Sequence, residues 1–212
     1  MNLIGISGWK QSGKDSLADY LVAKHGATRV SFADPLKDMA SKEYGIARDF
    51  FDKPELKELP ILSMPVQPQD AFSRMLCEFM KGEFRDQNGK RYGEGSIESQ
   101  MYWTPRALAI LKGSSNRAVR SDFWVAQAID LAVAKGGLIV ISDLRYKSEL
   151  AQMRDAFRDD MVTIRVQRYE TSPSTDPSER DLDDGKFDFY VENKGTLEEL
   201  YSKMEAILSQ LK

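Results

Sequence analysis

Gly8-Trp9-Lys10-Gln11-Ser12-Gly13-Lys14 is a spacing suited to holding phosphate. Two glycines bracketing four residues let successive backbone N–H groups converge on phosphate oxygens, and a helix starting just beyond turns its positive end toward them. Lys14 then reaches the terminal phosphates as a mobile charge. The pattern carries meaning only between a strand and a helix. The sequence supplies both: the apolar segment Asn2–Ser7 before it, and Leu17, Tyr20, Leu21 and Val22 at helical spacing up to Gly26 after it. A purely structural glycine-rich turn is the plain alternative. The position after the lysine, usually Ser or Thr for magnesium, is Asp15, with Ser16 next. Either Ser16 takes over part of that role or Asp15 acts on the metal through water.

A second candidate lies at the end of Leu138-Ile139-Val140-Ile141, a continuous apolar run of the kind buried on both faces of a parallel sheet. It stops at Ser142-Asp143. In open α/β sheets the C-terminal strand ends face the ligand, so Asp143 is expected beside the phosphate loop. Arg145 follows, then Glu149 at the start of a helix. An acid–x–Arg pair suits a nucleotide kinase, the Arg gripping phosphate bidentately while the acid manages the metal. A helix cap at Asp143 is the simpler reading. Arg106, Lys112, Arg117 and Arg120 form a run with no acidic residue among them. This is either a solvated basic face or a mobile segment that stabilises a transferring phosphoryl group. Trp103 and Trp124 are candidate stacking surfaces for a base, or core. Asn193-Lys194-Gly195-Thr196 lacks the final Asp of a guanine-reading motif and reads as a turn and a cap.

Strands and helices must alternate to position these groups. A second strand is expected over Arg29–Phe32, with helices from Pro35 to about Tyr44 and over Gln69–Lys81. Four prolines make 53–68 irregular, and Asn88-Gly89 suggests a hairpin turn within Phe84–Tyr92. Thr104-Pro105 starts a helix, Ser121-Asp122 precedes another, and Gly136-Gly137 ends it. A helix over Lys147–Phe157, strands Val162–Val166 and Phe187–Val191, a polar loop (170–186) between those strands, and a closing helix Thr196–Leu211 complete the order. Such alternation favours a mostly parallel sheet.

The 212 residues fit one domain with room for a subdomain. The net charge of −3 gives no basis for direct nucleic-acid binding. A lone His25 argues against a Ser–His–Asp hydrolase, and a lone Cys77 excludes an internal disulfide and fits a reducing cytoplasm. No apolar run reaches the roughly 18 residues of a membrane span, so no membrane association is expected.

Five blocks then occur in order: Gly8–Ser16, Ala33-Asp34-Pro35-Leu36-Lys37, Thr104-Pro105-Arg106 with Gly113, Ser142-Asp143-Leu144-Arg145 with Glu149, and Glu192–Leu197. Together they resemble the bacteriophage deoxynucleoside monophosphate kinases over nearly the whole chain, most weakly over residues 46–100. The resemblance implies an α/β, nucleoside-monophosphate-kinase-like three-layer fold with a five-stranded parallel sheet. A monophosphate-binding region (34–103, with an insert at 82–103) and a basic lid segment (104–122) would belong to it. It implies transfer of the ATP γ-phosphoryl group to a deoxynucleoside monophosphate, magnesium as cofactor, and a homodimer.

By motif position, Lys10, Gly13, Lys14, Asp15 and Ser16 would hold ATP and metal, with Arg106 and Ser178 on the ATP side. Leu36, Lys37, Gly113, Ser114 and Trp124 would line the monophosphate site, and Asp143, Arg145 and Glu149 would be its strand-end residues. Lys14, Arg106 and Asp143 are the expected catalytic set, and Ser16 and Asp143 the expected metal contacts. Gln11 departs from members with Arg there. Two other readings stand beside this one: a kinase of another phosphorylated acceptor, of the dephospho-coenzyme A or phosphomevalonate type, and an ATP-binding or ATP-hydrolysing module.

Overall fold

A computed structural model describes residues 2–67, 71–91, 100–168 and 180–211. The chain divides into two compact units: Met1–Phe32 with Val125–Lys212, and Ala33–Trp124. The first contains a five-stranded, wholly parallel sheet, as the resemblance implies. In chain order its strands are β1 (Leu3–Gly8), β2 (Thr28–Arg29), β5 (Ile139–Leu144), β6 (Met161–Gln167) and β7 (Phe189–Glu192). The spatial order is β2-β5-β1-β6-β7, which puts β1 at the centre. The phosphate loop therefore leaves the C-terminal end of a strand flanked on both sides.

Strand alternation explains the three layers. On one face Ile4, Ile6, Val140, Val162, Ile164 and Val166 point toward Leu17 and Leu21 of α1 (Lys14–His25) and Leu200, Met204 and Ile207 of α8 (Leu197–Gln210). On the other face Leu3, Ile139, Ile141 and Met161 meet Val125, Ala128 and Ala132 of α6 (Phe123–Lys135) and Leu150 and Met153 of α7 (Lys147–Phe157). Gly26, at φ 64°, closes α1 in the left-handed conformation that glycine adopts without cost.

The second unit contains α2 (Ala33–Tyr44), α3 (Asp49–Asp52), α4 (Ala71–Met80), an antiparallel pair β3 (Arg85–Asp86) and β4 (Met101–Tyr102), and α5 (Pro105–Val119). The turn at Asn88-Gly89 is present, with Asp86 N–H donating to the Lys90 carbonyl at 2.9 Å. Arg85 also bridges Arg91 just past the turn in antiparallel fashion, and β3 pairs as a strand with β4 on top of that. β2 is also shorter than expected: only Thr28–Arg29 pairs as strand, although Val30 N–H still donates to the Val140 carbonyl at 3.0 Å. The segment 104–122 falls in the second unit. Most of it is helix α5, whose Ala107 and Leu108 are buried in the second unit. Among the described residues no helix is long and apolar enough to cross a membrane.

Candidate functional site

Both motif glycines are demanded by space. A Cβ on Gly8 would lie 2.5 Å from Ser12 Oγ and 2.7 Å from the Val166 carbonyl oxygen. A Cβ on Gly13 would lie 2.5 Å from Asn193 Nδ2, at a backbone φ of +100°. Gln11 is also left-handed, at φ 65°, an uncommon state for a residue with a side chain. Alternation of left-handed residues with ordinary ones is how a short loop curls its N–H groups inward. Gly13 occupies the N-cap of α1 and no side chain caps that end. The first-turn N–H groups, unsatisfied within any helix, are thus left to an outside acceptor. Lys14, 8% exposed, begins the helix. An uncapped, positively polarised helix end behind a glycine cradle fits a polyphosphate.

The loop is braced from three sides. Asn193, 7% exposed, donates from Nδ2 to the Ser12 carbonyl at 2.8 Å. Arg165, buried on β6, donates from Nη1 to Ser7 Oγ at 2.8 Å and from Nη2 to Asp183 at 2.6 Å. Trp9 Nε1 donates to the same Asp183 oxygen at 2.8 Å. Trp9, Arg165, Val166, Gln167, Arg168 and Asp183 line a cavity of about 180 Å³ beside the loop.

Asp15, in place of the usual hydroxyl, accepts from Lys14 Nζ at 3.3 Å, from Ser142 Oγ at 3.1 Å and from Arg29 Nη2. Burial works to raise its carboxyl, but Lys14, the Ser142 hydroxyl and Arg29 together outweigh it and hold Asp15 below the usual carboxylate range. Asp143, on β5, accepts from the Phe32 backbone N–H at 3.1 Å. It is not the helix cap its position allowed. Tyr146 and Glu149 form that cap, the Glu149 carboxylate accepting from Arg145 N–H at 2.8 Å and Tyr146 N–H at 3.0 Å. Burial, with Asp143 nearby, pushes the Glu149 carboxyl up to about 7 despite those two donors. Arg145 and Lys10 are exposed, and Ser16 is half-buried in the first turn of α1. The structure brings Gly13, Lys14, Asp15 and Ser16 together on one turn and ties Asp15 to the strand that carries Asp143.

In the second unit Arg106 lies on α5 and pairs with Glu58 at 3.3 Å and Glu83 at 3.1 Å. Lys37 Nζ donates to Asp52 at 2.9 Å. Gly113 is where α2 meets α5: a Cβ there would stand 3.5 Å from Leu36 Cδ2. Trp124 is 5% exposed, and its indole N–H donates to the Gly113 carbonyl at 3.0 Å. Its indole is therefore buried against α5 within the second unit. Trp103 packs edge-on against Phe84 and is core. Ser114 is exposed. Ser178 lies outside the described residues.

Sequence reasoning missed Arg29, Arg165 and Asn193. Asn193 sat inside a block that carried a family resemblance but read only as a turn. Arg165 carried one weak signal, a charge inside an apolar strand run. Arg29 carried none.

No family profile matches the chain. Among curated proteins it is similar to the deoxynucleotide monophosphate kinase of Enterobacteria phage T4, at 26% identity over an alignment of 245 residues that covers all of both chains. The resemblance to the phage kinases thus runs end to end. Among solved structures, TT1252 from Thermus thermophilus matches with a TM-score of 0.42 and 18% identity, over 100% of this chain and 98% of that one. Dephospho-CoA kinase from Campylobacter jejuni matches with a TM-score of 0.44 and 13% identity, over 100% and 97%. The full-length similarity to a named kinase, with the loop geometry, supports a phosphate-loop kinase.

Proposed function

We propose that the chain is an ATP-dependent kinase of deoxynucleoside monophosphates, producing a deoxynucleoside diphosphate and ADP. The observation that carries the kinase half is the uncapped N-terminus of α1 behind a glycine cradle, with Lys14 at its head. The acceptor half rests on the full-length similarity to the phage enzyme. An oxygen of the acceptor phosphate attacks the γ-phosphorus, the bond from that phosphorus to the β,γ-bridging oxygen breaks, and ADP leaves with the electron pair. The attacking oxygen is already ionised at neutral pH, so no general base is required and positioning and charge supply the catalysis.

Lys14 and the loop N–H groups hold the triphosphate. The family resemblance assigns Arg106 to the transferring group and Lys37 and Arg145 to the acceptor phosphate. Lys37 and Arg106 sit on carboxylates, Asp52 for the first and Glu58 with Glu83 for the second, which phosphate must displace. The Ser16 hydroxyl and the Asp143 carboxylate would suit magnesium, which prefers one or two protein oxygens with substrate phosphates. Magnesium would supply neutralisation of the β- and γ-oxygens.

The test is ADP release from ATP and magnesium with each deoxy- and ribonucleoside monophosphate offered singly, beside dephospho-coenzyme A, phosphomevalonate and a no-acceptor control. Turnover dependent on one or more deoxynucleotides is expected, falling by ~10²-fold or more in Lys14→Ala, as when one charge-stabilising donor is removed. Acceptor-independent hydrolysis, or turnover only with the other acceptors, overturns the assignment.

A further inference from the structure

We propose that Arg29 is a positioning residue of the phosphate site: it shares the Asp15 carboxylate with the Lys14 ammonium and so loosens the hold of Asp15 on Lys14, which phosphate can then take over more easily. The inference rests on the phosphate-loop reading of the first unit and not on the identity of the acceptor.

Asp15 puts a negative charge where the usual loop has a hydroxyl. Its Oδ2 accepts a hydrogen bond from Lys14 Nζ at 3.3 Å, so it competes with phosphate for the cation the loop presents. Its other oxygen is engaged elsewhere, by Arg29 Nη2 and by Ser142 Oγ at 3.1 Å. The Arg29 guanidinium is spread over three partners: Nη2 also donates to Ser142 Oγ at 2.6 Å, and Nη1 donates to Asp19 Oδ1 at 2.8 Å, one turn further along α1. The backbone of Arg29 is fixed in turn, paired in register with Val140 of β5. The fork thus clamps the first turn of α1 to two neighbouring strands. Only a rigid guanidinium offers several directed donors at once; a lysine is a single point charge.

With Arg29 gone, Asp15 has one strong cationic partner left, and phosphate must compete harder with it for Lys14. The loss falls on nucleotide binding rather than on the transfer step, and it depends on Asp15 being charged.

The test measures the Kd of a non-hydrolysable ATP analogue by calorimetry, with kcat and the KM for ATP, for Arg29→Gln in two backgrounds: the natural chain and Asp15→Ser. In the natural background Arg29→Gln should raise Kd and KM about tenfold, equivalent to about 1.4 kcal/mol, with kcat changed less than ~3-fold. In the Asp15→Ser background the same change should move Kd less than ~3-fold. Arg29→Lys should recover part of the loss. If Arg29→Gln fails to fold by thermal melting, Arg29→Lys compared in the two backgrounds gives the same reading at smaller amplitude. Equal weakening in both backgrounds overturns the proposal, because Arg29 then acts on nucleotide directly or through the fold. No weakening in either overturns it as well. A natural chain that does not bind the analogue, or a Lys14→Ala chain that binds it equally well, overturns the phosphate-loop reading and this inference with it. Lys14-dependent binding without the Arg29–Asp15 coupling overturns this inference alone.

Discussion

A methyl group on Gly13 would meet Asn193 Nδ2 at 2.5 Å from a backbone already at φ +100°, so Gly13→Ala is penalised by both space and conformation. It should abolish analogue binding in calorimetry and lower the melting temperature. Asn193→Ala tests the brace alone. It leaves the Ser12 carbonyl without its donor, at a cost of roughly 1–3 kcal/mol, and should weaken nucleotide binding while the protein stays folded at room temperature. Glu149 yields a prediction in pH. Its carboxyl, raised from 4.5 to about 7 in the fold, contributes stability that is fully present below the unfolded value and is lost as pH rises through the folded one. Melting temperature should therefore decline across that window, and Glu149→Gln, which still offers an oxygen to the Arg145 and Tyr146 N–H groups, should flatten the decline. At this scale the sequence showed the glycines, Lys14 and Asp15 plainly, because they are neighbours in the chain. It did not show Arg29 or Arg165, whose partners are set by which strands lie side by side. The contact from Arg165 to Ser7 spans 158 positions, and no local pattern encodes that.

Two threonine caps separate what a helix end is worth when buried from what it is worth when exposed. Thr104 is 0% exposed, accepts from Ala107 N–H at 3.1 Å and donates to the Glu83 carbonyl at 2.9 Å. Thr196 caps α8 through Glu199 N–H at 3.3 Å on the exposed surface. Substituting each by alanine should cost about 2 kcal/mol at Thr104 and ~1 kcal/mol or less at Thr196, readable as unequal shifts in a chemical denaturation midpoint. Both caps were legible in advance, as were the long helices and the buried strands β1, β5 and β6, because their signals are local. β4 was not. Met101–Tyr102 pairs with Arg85–Asp86 across the 14 residues 87–100, and two-residue strands carry too little alternation to be seen. In α5 the basic residues are interleaved with apolar ones, and the buried positions of the helix are Pro105, Ala107, Leu108 and Gly113.

Among the described residues the two units differ in how much apolar material holds them. The faces of the sheet carry core clusters of fifteen and fourteen buried residues, whereas the clusters of the second unit, Ala40 with Phe51 and Leu108, and Met80 with Phe84 and Ala107, have three each among the described residues. Local opening draws first on regions with few buried contacts. Native-state hydrogen exchange should find the amides of α2 and α5 exchanging through openings smaller than those that release β1, β5 and β6. Equal opening energies would mean that the two units share one cooperative transition. The sheet is also late to form, because β1 cannot pair with β5 until some 130 further residues have been made.

The residues on either side of the second unit, Phe32 and Val125, belong to one and the same apolar cluster on the sheet. Residues 33–124 are thus a cassette whose two seams are sewn into a single patch of cloth. A protein engineer who cuts at the same two points can exchange what lies between them while leaving the strand and helix that carry the phosphate loop uncut.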